Sequence, residues 1–268
     1  MKITPLTTGT LELKPTFLEG SPSHGGRFGL ILAIARDAAF TPHLPMWSWI
    51  VETATERILI DAGANRFAGG GPTRTRFNVS SEQELVPQLA KRGLAPRDFD
   101  RVLLTHLHGD HVGALAAFSQ VPTFVTRAEW APVAGFPGRL MRPMTAPVPN
   151  WFAPRLFDFD GPAMLGFPAS YPVTSDGSIV ALPTPGHSPG HTSFLIRTGH
   201  RDVLIAGDVT YELPALLAQR EQGFIADVEA HRRTLPRVRS LVESGAVYLP
   251  SHDPESPARL SASGLGGV

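Results

Sequence analysis

The sequence predicts an α/β protein in which sheets pack against each other and helices lie outside them. Three observations carry this expectation. Short β-rich runs come in clusters, at 47–63 and 178–208, with a last one at 246–253. Helix-patterned stretches fall between them, at 81–93, 111–118 and 227–245. The 26 glycines and 26 prolines are spread along the chain, as tight turns between many short elements require. Clustered strands bury one face on each other, which leaves the helices to cover the rest.

In chain order, "WSWIVETATERILIDAG" (47–63) reads as a hairpin, two β-rich runs flanking a short polar turn. "SEQELVPQLAKRG" (81–93) reads as a helix, with Ser81 and Glu84 as a capping box and Gly93 as its stop. "RVLLT" (101–105) is a short buried strand and "HVGALAAF" (111–118) is helical. The Pro- and aromatic-rich stretch 135–159 has weak periodicity and reads as a long surface excursion. "SIVALPTPG", "TSFLIRT" and "RDVLIAGD" are strands, followed by a helical region, 227–245, that Pro236 should kink or split. "AVYLPSHD" is the final strand. If the segment 18–44 is helical, Leu30, Ile31 and Ile34 form an apolar stripe. That stripe could roof a pocket, join a homodimer interface or simply pack.

No repeat and no linker-like segment is visible, so one domain over 1–268 is expected. With 42% hydrophobic residues the chain can bury a sizeable core. Its 24 basic and 24 acidic residues balance, which argues against a nucleic-acid or anionic-membrane partner. Cysteine is absent, so disulfides, thiolate metal sites and a cysteine nucleophile are excluded. Any metal must be held by nitrogen and oxygen. The N-terminal stretch lacks the apolar region of a secretory signal. The run "FGLILAIA" (28–35) falls short of the roughly 20 apolar residues of a membrane span. A cytoplasmic protein is the expectation.

"LLTHLHGDHVGAL" (103–115) crowds three histidines and an aspartate into six positions. After a strand, residues two apart share a face, so His106 and His108 can point into one cavity. Gly109 permits a sharp turn, and Asp110 and His111 then project at a neighbouring position. Two pairs side by side point to two metal ions, although each four-coordinate metal with an open position wants three protein ligands. Candidates stand at three more strand ends: His187, with His191 four residues on, then Asp208 and His252. A merely polar, His-rich loop would not be matched by ligand types at four strand ends.

His-x-His-x-Asp-His, "TPGHSPGH", "AGD" and "SHD" together resemble the metallo-β-lactamase fold superfamily along nearly the whole chain. The resemblance implies an αββα sandwich with two metal ions at one edge; five His and two Asp suit borderline metals, zinc foremost. It implies that His106, His108 and His187 bind one ion, that Asp110, His111 and His252 bind the other, and that Asp208 bridges them. Asp61 would support the site from behind, since ligating imidazoles need an acceptor for the other ring N–H. His191 is expected to hold its loop without ligating, and His24, His43, His200 and His231 to lie at the surface.

Several branches fit poorly. A β-lactamase should carry a signal peptide. Glyoxalase II-like thioesterases add a C-terminal helical region, and only 16 residues follow His252 here. RNA-processing nucleases favour basic surfaces, and flavo-diiron proteins put glutamate where His108 stands. In "AGDVTYE", Tyr211 follows Asp208 by three, a spacing that resembles the N-acyl-homoserine lactonases. There the tyrosine reaches over the metals to the substrate; the plain alternative is that Tyr211 packs in its loop. The likeness implies a small lactone or ester substrate, opened by a hydroxide held between the ions. Tyr211 would donate to the oxyanion and Asp110 would shuttle the proton. The alternative is hydrolysis of another ester, thioester or phosphoester; a sensor or inactive relative would sit oddly with a complete ligand set. Trp47, Phe67, Met141, Met144, Trp151 and Phe152 are candidates for the acyl site.

Overall fold

The computed structural model describes residues 1–18, 26–66, 75–136 and 138–266. The predicted hairpin forms the middle of a seven-stranded sheet. Its strands are β1 (Lys2–Glu12), β2 (Leu44–Glu52), β3 (Arg57–Ile60), β4 (Arg76–Asn78), β5 (Arg101–Leu103), β6 (Thr123–Thr126) and β7 (Arg155–Phe157). They lie in the order β4-β1-β2-β3-β5-β6-β7, parallel from β3 to β7. A second sheet holds β8 (Tyr171–Pro172), β9 (Ile179–Pro183), β10 (Thr192–Ile196), β11 (Val203–Gly207) and β12 (Val247–Pro250), in the order β12-β11-β10-β9-β8.

The helices are α1 (Pro15–Leu18), α2 (Gly26–Arg36), α3 (Leu85–Lys91), α4 (Gly109–Val112), α5 (Arg127–Ala134), α6 (Gly138–Thr145), α7 (Leu213–Leu217), α8 (Val228–Glu243) and α9 (Ser256–Ala262). Strand alternation sorts the side chains into layers. Ile58 and Ile60 of β3 meet Phe194 and Ile196 of β10 in a core between the sheets. Leu59 points the other way, to Leu85 and Leu89 of α3 and Val133 of α5. Leu195 likewise leaves the inter-sheet core for Leu235, Val238 and Leu241 of α8. The layers run helix, sheet, sheet, helix, which is the αββα sandwich expected.

Several local readings are corrected. Ser81 lies in a turn; α3 begins after an extended Glu84 that makes no side-chain cap bond, so no capping box forms. Gly93 does stop the helix, with φ +71° and its N–H donating to Ala90. "HVGALAAF" divides into the end of α4 and a 3₁₀ turn at Leu115–Phe118. Gly113 between them is pressed on the chain after Asp61, where a Cβ would lie 2.6 Å from the Ala64 carbonyl carbon. Gly109 is the first residue of α4 and needs no left-handed backbone. Pro236 does not split α8, which runs unbroken through it. The excursion 135–159 carries α6 and β7 and buries Ala146, Val148, Phe152 and Phe157. Among the described residues no helix is long and apolar enough to cross a membrane.

Candidate metal centre

Both sheets end their apolar strands at the same place. After β5 the chain delivers His106, His108, Asp110 and His111, and β9, β11 and β12 are followed by His187, Asp208 and His252. The donors fall into two groups, His106/His108/His187 and Asp110/His111/Asp208/His252, the atoms of each lying within 4.8 Å of one another. His106 Nε2 and His187 Nε2 both approach His108 Nδ1 at 2.9 Å. In the second group His252 Nε2 lies 3.3 Å from Asp110 Oδ2 and 3.2 Å from Asp208 Oδ2. Asp208 also reaches the first group, 3.4 Å from His187 Nε2. A tetrahedron with bonds of roughly 2.0–2.1 Å has an edge of about 3.3 Å, which the Asp208 and Asp110 separations match, while the first group's rings stand closer together than that edge.

Four imidazoles have their protons directed outward. His111 Nδ1 lies 2.8 Å from Asp61 Oδ2, and both Asp61 oxygens also accept from Thr105. Asp61 takes φ +59° to do this, a conformation Asp tolerates better than most residues. His252 Nδ1 donates to the Pro45 carbonyl at 2.8 Å, and His187 Nδ1 to Gln222 Oε1 at 3.1 Å. The Thr105 hydroxyl donates to Asp61 and so accepts from His106 Nδ1 at 3.0 Å. Each Nε2 then turns a lone pair inward. Two of the buried atoms there, His111 Nε2 and Asp208 Oδ1, have no hydrogen-bond partner and lie 3.4 Å apart. Orphaned acceptors facing each other, an imidazole nitrogen and a carboxylate oxygen, fit a divalent cation.

His191 differs from the five histidines of the two donor groups. Its Nε2 accepts the Asp208 N–H at 2.9 Å and its Nδ1 meets Thr184 Oγ1 at 2.9 Å. Both ring nitrogens are spent on holding the loop. Gly207 beside it has φ +59°, and a Cβ there would lie 2.6 Å from His191 Nε2.

Electrostatics separates the groups. Burial, with the charges of His111 and His108, holds His106 well below the ordinary histidine range. His187 is also held well below it, by burial first. At His111 burial works the same way but Asp208, Asp110 and Asp61 outweigh it and raise the ring well above that range. His252 is pushed up to about 10 against burial, by Asp208 and Asp110. Without a cation, then, the carboxylates of the second group draw protons that a metal would displace.

Tyr211 is buried with its ring against His252, centroids 5.3 Å apart, and near His187 at 6.3 Å. Burial, then the charges of Asp208 and Asp110, keeps the phenol protonated. It shares an apolar cluster with Phe17, Met46 and Ile34 of α2, with Leu30 packed alongside. The predicted stripe thus packs in the cluster that holds Tyr211; the Ile31 side chain lies outside the described residues.

The acyl-site candidates divide. Trp47 is tied down, its Nε1 donating to the Asp253 carbonyl at 2.9 Å. Phe152 is buried against Trp130, whereas Trp151 is 50% exposed. Phe67 and the side chains of Met141 and Met144 lie outside the described residues, as does His24. His43 and His200 are exposed as expected, but His231 is buried in α8. The pattern that could have shown this is its own helix: His231, Thr234, Leu235 and Val238 recur at helical spacing on the buried face. Gln222 and Glu129, both buried and bonded around the site, were missed as well.

Residues 42–252 match the metallo-beta-lactamase superfamily. The N-acyl homoserine lactonase AttM of Azorhizobium caulinodans is 31% identical over 199 residues, which cover 70% of this chain and 71% of that protein. An N-acyl homoserine lactonase of Bacillus cereus is 30% identical over 179 residues, 63% of this chain and 65% of that one. The fold is shared with an N-acyl homoserine lactone hydrolase solved with N-hexanoyl-L-homoserine at its catalytic metal center. That likeness has a TM-score of 0.74 at 22% identity, over 95% of this chain and 94% of the other. AidC, a dizinc quorum-quenching lactonase, superposes with a TM-score of 0.63 at 16% identity, over 93% and 86%. The chain belongs to the metallo-beta-lactamase superfamily, as a hydrolase similar to its N-acyl homoserine lactonases.

Proposed function

We propose that the protein is a dinuclear-metal hydrolase that opens the lactone ring of N-acyl homoserine lactones. The observation that carries this reading is the buried Tyr211 ring set against His252 and His187 of a complete donor set. His106, His108 and His187 would hold one divalent ion, Asp110, His111 and His252 the other, and Asp208 would serve both. Zinc suits five imidazoles and two carboxylates. Two such ions, when bound, supply Lewis acidity toward a carbonyl oxygen and lower the pKa of water to about 7.

The chain's own groups do the rest. Asp61, Thr105, Gln222 and the Pro45 carbonyl hold the outer ring nitrogens, which keeps the inner lone pairs aimed. Tyr211 would donate a hydrogen bond to the carbonyl oxygen as negative charge grows on it. Asp110, the carboxylate of the set with the greatest side-chain exposure at 11%, would carry a proton to the departing alkoxide. The lactonase relatives at about 30% identity support the substrate class. The test is hydrolysis of N-hexanoyl homoserine lactone beside a simple aryl ester by zinc-loaded protein. Preference for the lactone is expected; cleavage of the aryl ester alone would shift the reading to a general ester hydrolase.

A further inference from the structure

Glu129 belongs to neither donor set, yet it is buried and both its oxygens are committed. Thr126, the N-cap of α5, accepts the Glu129 N–H at 3.2 Å. Threonine three residues before glutamate has the spacing of a capping box, in which the glutamate would reach back to the cap. This side chain bonds elsewhere. Oε1 accepts from the N–H of Leu107, the residue between His106 and His108, at 3.1 Å. Oε2 accepts from Ser188 Oγ at 2.7 Å and from the Gly190 N–H at 2.9 Å, both in the loop just after His187. The fit of that loop is close: a Cβ on Gly190 would lie 2.1 Å from the Glu129 nitrogen.

One carboxylate therefore joins the two loops that bring His108 Nδ1 and His187 Nε2 to 2.9 Å. We infer that Glu129 is a positioning residue for the first donor set, fixing His106 and His108 against His187 without acting on the second set. The inference rests on the ligand assignment above and not on the choice of substrate. Hydrogen bonds to a carboxylate are stronger than those to a neutral acceptor, so the clamp is stiff. In Glu129→Gln the volume stays, but one acceptor oxygen becomes an NH₂ donor. That group must face either Leu107 or the Ser188 and Gly190 donors, and one loop is released.

The test is zinc affinity by competition with a chromophoric chelator, in the parent, His187→Ala, Glu129→Gln and Ser188→Ala. The parent is expected to show two binding phases, and His187→Ala identifies the first set by removing one. Glu129→Gln is expected to weaken that same phase about 10- to 100-fold, the range for partners that orient ligating groups. The other phase should hold, and the visible spectrum of the cobalt-substituted first site should shift. Ser188→Ala removes a single bond and should weaken the first phase less. The metal-free melting temperature separates positioning from folding. An unchanged first phase in both variants, or equal weakening of both phases with a lowered metal-free melting temperature, overturns the inference. A parent that binds no zinc overturns the ligand assignment and the inference with it.

Discussion

His106, His108 and His187 are imidazoles alone, whereas Asp110, His111, Asp208 and His252 pair two carboxylates with two imidazoles. Burial dominates in the first group and leaves His106 and His187 as neutral rings, already in the form that ligates. In the second group the carboxylates attract any cation, protons included, so His252 is held up to about 10. Asp208 stands between the two groups. Its carboxylate is the one that faces both groups, 3.4 Å from His187 and 3.2 Å from His252. If each group holds a cation, as proposed, the neutral first group would depend on that shared charge.

The largest effect should therefore come from Asp208→Ala. Both ions should be lost or weakened, turnover should fall to background, and the metal-loaded melting temperature should drop, as elemental analysis, a lactone assay and calorimetry would show. Retention of both ions would break the comparison. His106→Ala should also abolish turnover, but with the second group still able to bind metal, so its residual content should approach about one ion per chain.

Next comes Tyr211→Phe, which removes a donor and leaves both sets intact. Loss of an oxyanion donor costs about 10²–10³ in kcat in strongly preorganised sites; with metal sharing the charge, about 10- to 100-fold is expected. The loss should fall on kcat at unchanged metal content, since uniform binding would move KM. An unchanged lactone rate would remove Tyr211 from the chemistry. His191→Ala should be the mildest for metal. It leaves the buried Asp208 N–H without its acceptor, at about 1–3 kcal/mol of stability, while metal and much of the activity remain. Loss of metal as complete as in His187→Ala would mean that the ligand of "PGHSPGH" is misassigned.

The strand ends were legible because apolar runs and the residues that close them lie next to each other in sequence. That is why the seven side chains that converge there, and Asp61 behind them, could be named from the sequence. What was missed depends on partners far along the chain. β1, the longest strand at 11 residues, mixes threonines with its apolar residues and is set by its pairing with β2. Gln222 sits in a polar stretch with no local signal, and its role exists only because His187 lies 35 residues away. Glu129 did carry a signal, the Thr-x-x-Glu spacing, but local logic assigns that pattern to a helix cap. His231 shows the opposite error: a charged neighbourhood suggested surface, and helical periodicity overrode it.

The claim on which the rest depends is that these seven side chains hold the ions that make the protein a lactone hydrolase. The most direct measurement is elemental analysis of protein purified without chelator, with N-acyl homoserine lactone hydrolysis followed on the same sample. About two divalent ions per chain are expected, with hydrolysis lost on their removal and regained when they are restored. A content well below one ion per chain, with hydrolysis intact, would contradict the account.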